Sequence, residues 1–376
     1  MRVAIINLTG GGISGGYRQY LRNVIPRMAA HSDVESILCA APKSLNIQDW
    51  FDSSANVRFV DCKSFRFLSP PHDNKLLEEL KSFHPHVIFV PVERFFAFHG
   101  TPVVNMVQNM EPFVYSNSRN PFSERIKTSL RKRMSCSALH KSQRIIAVSK
   151  FVKEHLVTNV GIPETKISFI YHGCSNGDNI CTKPSAIPDN WSGTFLFTAG
   201  SIRPARGLED IIYAVRTLTH MKIPVYLVIA GKTDTNMISY KRSLQDIISK
   251  NGMENRVIWI ENLNEAEMKW CYKNCNIFIM TSRVESFGMI GLEAMSNGCV
   301  CIAANNPCLP EIFEDSAVYY SPRNHNMLAK TIQRMLDWDK DKHKAASERS
   351  LKRAAEFSWG VCAEQTVALL SIAAKT

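Results

Sequence analysis

Two series of short β-branched runs, each alternating with helical patterning, constrain this chain more than any other feature. The first series comprises residues 3–7, 35–39, 57–60, 87–90, 103–107, 144–148 and 167–171. Most are separated by stretches with apolar residues at helical spacing, the signature of βα units and a parallel sheet. A polar stretch rich in Gly, Asn, Asp and Pro, residues 173–193, breaks the rhythm and reads as a linker. The alternation then resumes at 194–198, 225–230, 257–260, 277–280, 300–303 and 318–320. The expected fold is therefore α/β, with two Rossmann-like doubly wound domains, residues 1–172 and 194–358, facing a central cleft. A last helix is expected over 360–374.

Length and composition agree with that architecture. A chain of 376 residues, 45% apolar and 21% charged, suits two soluble domains of ordinary size. No apolar run approaches the roughly 20 residues of a membrane span. The apolar run Val3-Ala-Ile-Ile6 is too short for a secretory leader and enters a glycine loop directly, so a cytoplasmic location is expected. The 11 cysteines are scattered and read as reduced, mostly buried thiols. Cys271-x3-Cys275 and Cys299-x-Cys301 each lack a second pair and a histidine at zinc spacing, so no metal site is expected. Net charge is +11, and 23 Lys+Arg against 15 Asp+Glu fall in residues 1–190. A basic half attracts anionic lipids, nucleic acids or phosphorylated substrates.

The chemistry concentrates in Thr281-Ser-Arg-Val-Glu285-Ser-Phe-Gly288-Met-Ile-Gly-Leu-Glu293-Ala-Met-Ser-Asn-Gly298. An apolar strand precedes it. A helix of about three turns is expected after Gly288, closed by Asn297-Gly298. Glu285 thus lies on the loop leaving a strand and Glu293 inside the next helix. Ligands of open parallel sheets bind at the carboxyl ends of strands, against helix amino ends. The amides of Gly288, Met289 and Ile290 suit an anion there, while the two carboxylates accept hydrogen bonds from hydroxyls. That combination fits a molecule with phosphates in its middle and sugars at both ends.

This segment resembles the Glu-x7-Glu signature of retaining glycosyltransferases of family 4, which have the GT-B fold. The resemblance extends over nearly the whole chain and is weakest between about residues 40 and 100. It includes Ala147-Val-Ser149-Lys-Phe151, Ile170-Tyr-His172-Gly173 and Asn306-Pro-Cys-Leu-Pro310-Glu311-Ile312. It implies transfer of a hexose-type sugar from a nucleoside diphosphate to a saccharide or lipid-linked saccharide acceptor, without a metal or other cofactor. Glu293 then holds the nucleotide ribose and Glu285 positions the donor sugar beside Phe287. It also implies that the last helix, in residues 359–376, crosses back onto the N-terminal domain.

Other donor contacts follow residue by residue. Thr9-Gly10-Gly-Gly12-Ile-Ser-Gly15-Gly16 follows the first strand and opens a helix over 17–30. Its Gly10-x-Gly12-x-x-Gly15 spacing also occurs in dinucleotide sites, but the second strand ends at Cys39-Ala-Ala-Pro without the acid that would hold a ribose. Gly15 and Gly16 are the expected diphosphate contacts. In Gly200-Ser201-Ile-Arg203-Pro-Ala-Arg206, Ser201 stands where the family usually has an arginine and Arg206 where it has a lysine. Arg206 is expected on the diphosphate, with Arg203 supplying the missing charge. Gly231, Lys232, Asn262 and Leu263, at two further strand ends, are expected to frame the base.

On the acceptor side, Gln108-Asn109 occupies the place where many relatives carry a histidine. Amides cannot act as a general base, so these residues position the acceptor, and Glu111 is the nearest ionisable group. The helix over 123–141 carries Arg125, Lys127, Arg131, Lys132 and Arg133 against Glu124, which reads as a surface for an anionic membrane or acceptor. No recognised nucleic-acid module is present, so no nucleic acid is expected. Two other functions remain open to this scaffold, a sugar-nucleotide 2-epimerase and a non-catalytic nucleotide-sugar-binding subunit.

Overall fold

A computed structural model of the chain describes residues 1–9, 14–51, 56–65, 73–114, 122–174, 180–189, 191 and 194–375. Gly10, Gly11 and Gly12 of the glycine loop, and residues 175–179, 190 and 192–193 of the expected linker, lie outside the described residues. The chain divides into two compact units. The first comprises Met1–Pro112, Lys127–Gly173 and Phe357–Thr376, and the second Phe113–Ile126 and Cys174–Glu356.

The first unit is built on β1 (Arg2–Ile6), β2 (Ser36–Pro42), β3 (Val57–Cys62), β4 (Val87–Val90), β5 (Val103–Val107), β6 (Arg144–Ala147) and β7 (Ile167–Phe169). They form one parallel sheet in the order β3-β2-β1-β4-β5-β6-β7. β4 and β5 are buried along their whole length, as strands covered on both faces must be. Helix Gly15–Ala29 starts two residues earlier than its apolar pattern predicts, because Ser14 caps it by accepting from the Tyr17 amide at 3.3 Å. Gly15 and Gly16 are therefore its first two helical residues.

The crossover from β4 to β5 departs from the βα rhythm. Pro91–Pro102 spans only 12 residues, has proline at both ends and carries no helix. Its carbonyls are instead collected by one buried side chain on β5. Asn105 donates Nδ2 to the carbonyls of Val92 and Arg94 at 2.8 and 2.6 Å and lies 3.4 Å from that of Val90, and its Oδ1 meets the Ser142 hydroxyl. Phe98 is buried against the sheet core, with Phe95 and Phe96 partly buried beside it.

The last helix, Trp359–Ala374, belongs to this first unit. It packs on helix Gly15–Ala29 and on β4, β5 and β6. Ser358 caps it, and Trp359, Tyr20 and His172 form an aromatic cluster with ring centroids 5.2–6.2 Å apart. Burial lowers the His172 pKa to about 3, which keeps the ring neutral inside this cluster.

The second unit repeats the plan with β8 (Thr194–Ala199), β9 (Val225–Ala230), β10 (Val257–Ile260), β11 (Ile277–Met280), β12 (Cys301–Ala304) and β13 (Ala317–Tyr320). Its parallel sheet runs β10-β9-β8-β11-β12-β13. Each sheet thus reverses its winding direction once, between β1 and β4 in the first and between β8 and β11 in the second. Such switch points open a crevice at the carboxyl ends of the strands. The helix after Gly288 is Met289–Ser296, about two turns rather than the three expected. Gly288 stands before it at φ 91°, a conformation that favours glycine, and the helix begins only beyond it.

Asn105→Ala is expected to destabilise the first unit by about 2–3 kcal/mol, because buried carbonyls of the helix-free crossover lose their donor. Urea denaturation checks this, and an unchanged midpoint would show that water replaces the amide.

Candidate active site

The switch point of the second unit brings two loops together, one leaving β8 and the other leaving β11. Main-chain and side-chain bonds lace them. The Arg283 amide donates to the Ala205 carbonyl at 2.7 Å, and the Thr281 hydroxyl donates to the Arg206 carbonyl at 2.7 Å. Beneath this lacing lies a buried bidentate pair, in which Arg283 Nη1 and Nη2 reach the two oxygens of Asp210 at 2.5 and 2.6 Å. The same carboxylate accepts from the Tyr320 hydroxyl at 2.9 Å and the Arg323 amide at 2.8 Å, so its lone pairs are well used. Asn306 Nδ2 reaches the Ser282 carbonyl and ties in the loop after β12.

On that base the Arg206 guanidinium meets Glu285. Nη1 pairs with Glu285 Oε1 and also lies 3.2 Å from the Ser282 hydroxyl. Both side chains keep access to solvent, at 22% for Arg206 and 14% for Glu285. The two residues assigned to the diphosphate and the donor sugar are therefore in contact. Helix Met289–Ser296 starts four residues past Glu285 with no side-chain cap, which leaves its first amides available to a ligand. Phe287, on the same loop, is buried at 3% exposure.

Glu293 projects from the second turn of this helix and accepts from the Tyr272 hydroxyl at 3.2 Å. Burial raises its pKa to about 7, against the opposing pull of that hydroxyl. The Tyr272 hydroxyl is itself pushed well above its ordinary value, chiefly by burial, and so stays a donor.

Gly231, Lys232, Asn262 and Leu263 lie at the ends of β9 and β10, on the side of β8 away from β11. Gly231 is fixed by close approach: a Cβ there would sit 1.8 Å from the Gly200 carbonyl oxygen. Lys232 and Asn262 are exposed. Arg203 forms an ion pair with Asp234 at 3.2 Å, bridging the loops after β8 and β9.

In the first unit, Gln108 and Asn109 follow β5, and each already uses part of its amide locally. Gln108 Nε2 donates to the Pro91 carbonyl at 3.1 Å, and Asn109 Oδ1 accepts from the Glu111 amide at 3.0 Å. Both main-chain amides converge on one carboxylate oxygen, Glu93 Oε1, at 2.7 Å from Gln108 and 3.0 Å from Asn109. Burial raises the Glu93 pKa, although the Asn109 and Gln108 amides pull it down. Sequence reasoning missed this group. The available signal was its place just past β4, where the first sheet reverses. Among the described residues, no group of three or more His, Cys, Asp or Glu is placed to hold a metal ion.

Comparison with known proteins identifies the fold and the family. The family model for glycosyl transferases group 1 matches residues 186–353, and that for glycosyltransferase family 4 matches residues 14–175. An uncharacterised glycosyltransferase of Methanocaldococcus jannaschii is 27% identical over 246 residues, covering 62% of this chain and 61% of that protein. O-antigen chain mannosyltransferase B of Escherichia coli is 25% identical over 240 residues, covering 61% of each. The chain thus spans about three fifths of the length of these curated relatives. Among solved structures, sucrose-phosphate synthase from Thermosynechococcus elongatus superposes with a TM-score of 0.74 at 17% identity, over 98% of each chain. Anabaena HepE in complex with UDP and glucose gives a TM-score of 0.76 at 18% identity, over 99% of each chain. The fold and the paired loops define a GT-B protein. The chain belongs to the family 4 glycosyltransferases.

The raised Glu293 pKa has a consequence for stability. Between the ordinary carboxylate range and about pH 7 the folded chain holds a proton that the unfolded chain has released. The stabilisation is fully present below the unfolded pKa and is lost as pH rises through about 7. Thermal melts across pH 5 to 8.5 should show this decline in the wild type and a flatter profile in Glu293→Gln, and parallel profiles would contradict it.

Proposed function

We propose that this chain transfers a hexose-type sugar, with retention at the anomeric carbon, from a nucleoside diphosphate to a saccharide or lipid-linked saccharide hydroxyl. The observation that carries the reading is the Arg206–Glu285 pair at the second switch point, beside an uncapped helix bearing Glu293. The diphosphate sits against Arg206 and the amides of Gly288, Met289 and Ile290. As the sugar–phosphate bond breaks, negative charge grows on the leaving oxygen where these donors are already aimed, and they require no reorganisation. Glu285 fixes the guanidinium and holds a sugar hydroxyl, and its charge favours an oxocarbenium-like transition state. Glu293 takes the ribose. The acceptor hydroxyl attacks from the face the phosphate leaves, and the phosphate takes its proton. Charge neutralisation by arginine and amides needs no resident metal in this scheme.

The acceptor belongs at the carboxyl end of the first sheet, near Gln108, Asn109, Glu111 and Glu93. Two relatives are named as O-antigen chain mannosyltransferases and another as a serotype-specific mannosyltransferase, which makes mannose the first sugar to test. Glycosyl transfer explains the paired guanidinium and carboxylates more directly than epimerisation does, because Gln108 and Asn109 cannot move protons.

Arg206→Ala should lower kcat by about 10²–10³-fold, the usual effect of removing one donor to a developing charge. A thermal-shift panel of UDP, GDP, dTDP and ADP should select one base, with about 2.7 kcal/mol of stabilisation at 100 times its Kd. Full activity in Arg206→Ala, or no response to any nucleotide, sinks the assignment.

Helix Phe122–Lys141 adds a membrane contact to this proposal. Ile126 and Leu130, one turn apart, are 48% and 38% exposed among Arg125, Lys127, Arg131, Lys132 and Arg133. An apolar stripe flanked by cations suits the surface of an anionic bilayer on the cytoplasmic side. The chain should co-sediment with anionic vesicles at low salt and not with zwitterionic ones. Replacing Arg125, Lys127, Lys132 and Arg133 with Glu should abolish this, and retained binding would refute it.

A further inference from the structure

The two cysteine pairs that the sequence holds apart, Cys271-x3-Cys275 and Cys299-x-Cys301, meet in the second unit. Phe278 of β11 pairs with Cys301 of β12, so Cys275 and Cys299 lie at the amino ends of neighbouring parallel strands. Their sulfurs are 3.9 Å apart. Both thiols donate to one acceptor, the Tyr272 carbonyl, at 3.4 Å from Cys275 and 3.0 Å from Cys299. Tyr272 therefore faces two ways. Its main-chain oxygen carries the thiol pair, and its phenol holds the Glu293 carboxylate at 3.2 Å.

Cys275 is half-buried and Cys299 buried. Both line an open hollow of about 440 Å³ whose rim includes Lys273, Lys340, His343 and Lys344. Three lysines around an accessible sulfur favour an anionic co-reactant.

We propose that Cys275 and Cys299 form a disulfide-exchange site for a small anionic disulfide of the glutathione type, and that closing this bond loosens the grip of Tyr272 on Glu293. Cys275 releases its proton to solvent and attacks the small disulfide as a thiolate, forming a mixed disulfide and releasing one small thiolate, which takes up a proton. Cys299 gives up its proton and attacks the Cys275 sulfur, forming the protein disulfide and releasing the second thiolate. Two protein thiols are oxidised and one small disulfide is reduced to two thiols. The sulfurs must close to about 2.05 Å, and the Tyr272 carbonyl loses both S–H donors as they do. Cys275 ends helix Glu265–Asn274, so the movement falls on the same turn that carries Tyr272. The effect on nucleotide binding rests on the assignment of Glu293 to the ribose; the disulfide itself does not.

The test uses the whole chain treated with oxidised glutathione. Non-reduced peptides are read by mass spectrometry, and nucleoside diphosphate affinity is measured before oxidation, after it and after dithiothreitol. A Cys275–Cys299 cross-link is expected in the wild type, with affinity about tenfold weaker, as for one lost hydrogen bond to a charged group, and restored by dithiothreitol. Cys275→Ser should keep its affinity under the same oxidation. Glutathione captured at exposed Cys181 with no Cys275–Cys299 cross-link overturns the site. A cross-link with unchanged affinity, or equal loss in Cys275→Ser, overturns the relay through Tyr272. Reduced protein that binds no nucleotide refutes the functional reading of Glu293 and leaves the cross-link alone to decide the thiol chemistry.

Discussion

The second unit depends on how two loops are fastened at the point where its sheet reverses. The buried Asp210–Arg283 pair anchors the loop after β11 to the helix that follows β8, and the Arg283 amide bonds the Ala205 carbonyl. Only with that footing can Arg206 and Glu285 keep one geometry while still open to solvent. A buried ion pair contributes little net stability by itself, but removing one partner strands a charge. Asp210 and Arg283 therefore matter for the placement of Arg206 more than for the strength of the fold.

The first unit meets the same problem with different chemistry. A single carboxylate, Glu93, gathers the main-chain amides of Gln108 and Asn109, and Asn105 holds the helix-free crossover that delivers Glu93. The two units share a winding plan, yet one is organised around a guanidinium and the other around amides. This difference matches the proposed division between an anionic donor and a hydroxyl-bearing acceptor.

The strands were legible because parallel strands covered on both faces read as continuous apolar runs. Glu285, Arg206 and Glu293 were legible because their positions follow strand ends in a family pattern, and the structure pairs the first two directly. What was not legible depends on distance between segments. Val92-Glu93-Arg94 looks like an ordinary solvated loop until the crossover is known to lack a helix. Gln108 and Asn109 were found by their place after β5, but nothing in the sequence shows that each already bonds local backbone. Cys275 and Cys299 are 24 positions apart, and only the register of β11 on β12 brings them together. The helix after Gly288 is shorter than expected because the span between Gly288 and the Asn297-Gly298 stop leaves only eight helical residues, Met289–Ser296.

The packing of Trp359 on Tyr20 and His172 carries a consequence for biosynthesis. The ribosome releases the chain from its amino end, at about 5–20 residues per second. The sheet of the first unit is translated long before helix Trp359–Ala374, which covers part of it. Until residues 359–374 leave the exit tunnel, Tyr20 and His172 have no indole to close against, while the described strands of the second unit are already made. The domain that begins first is thus the one completed last, and nascent-chain quality control would meet it half-clad.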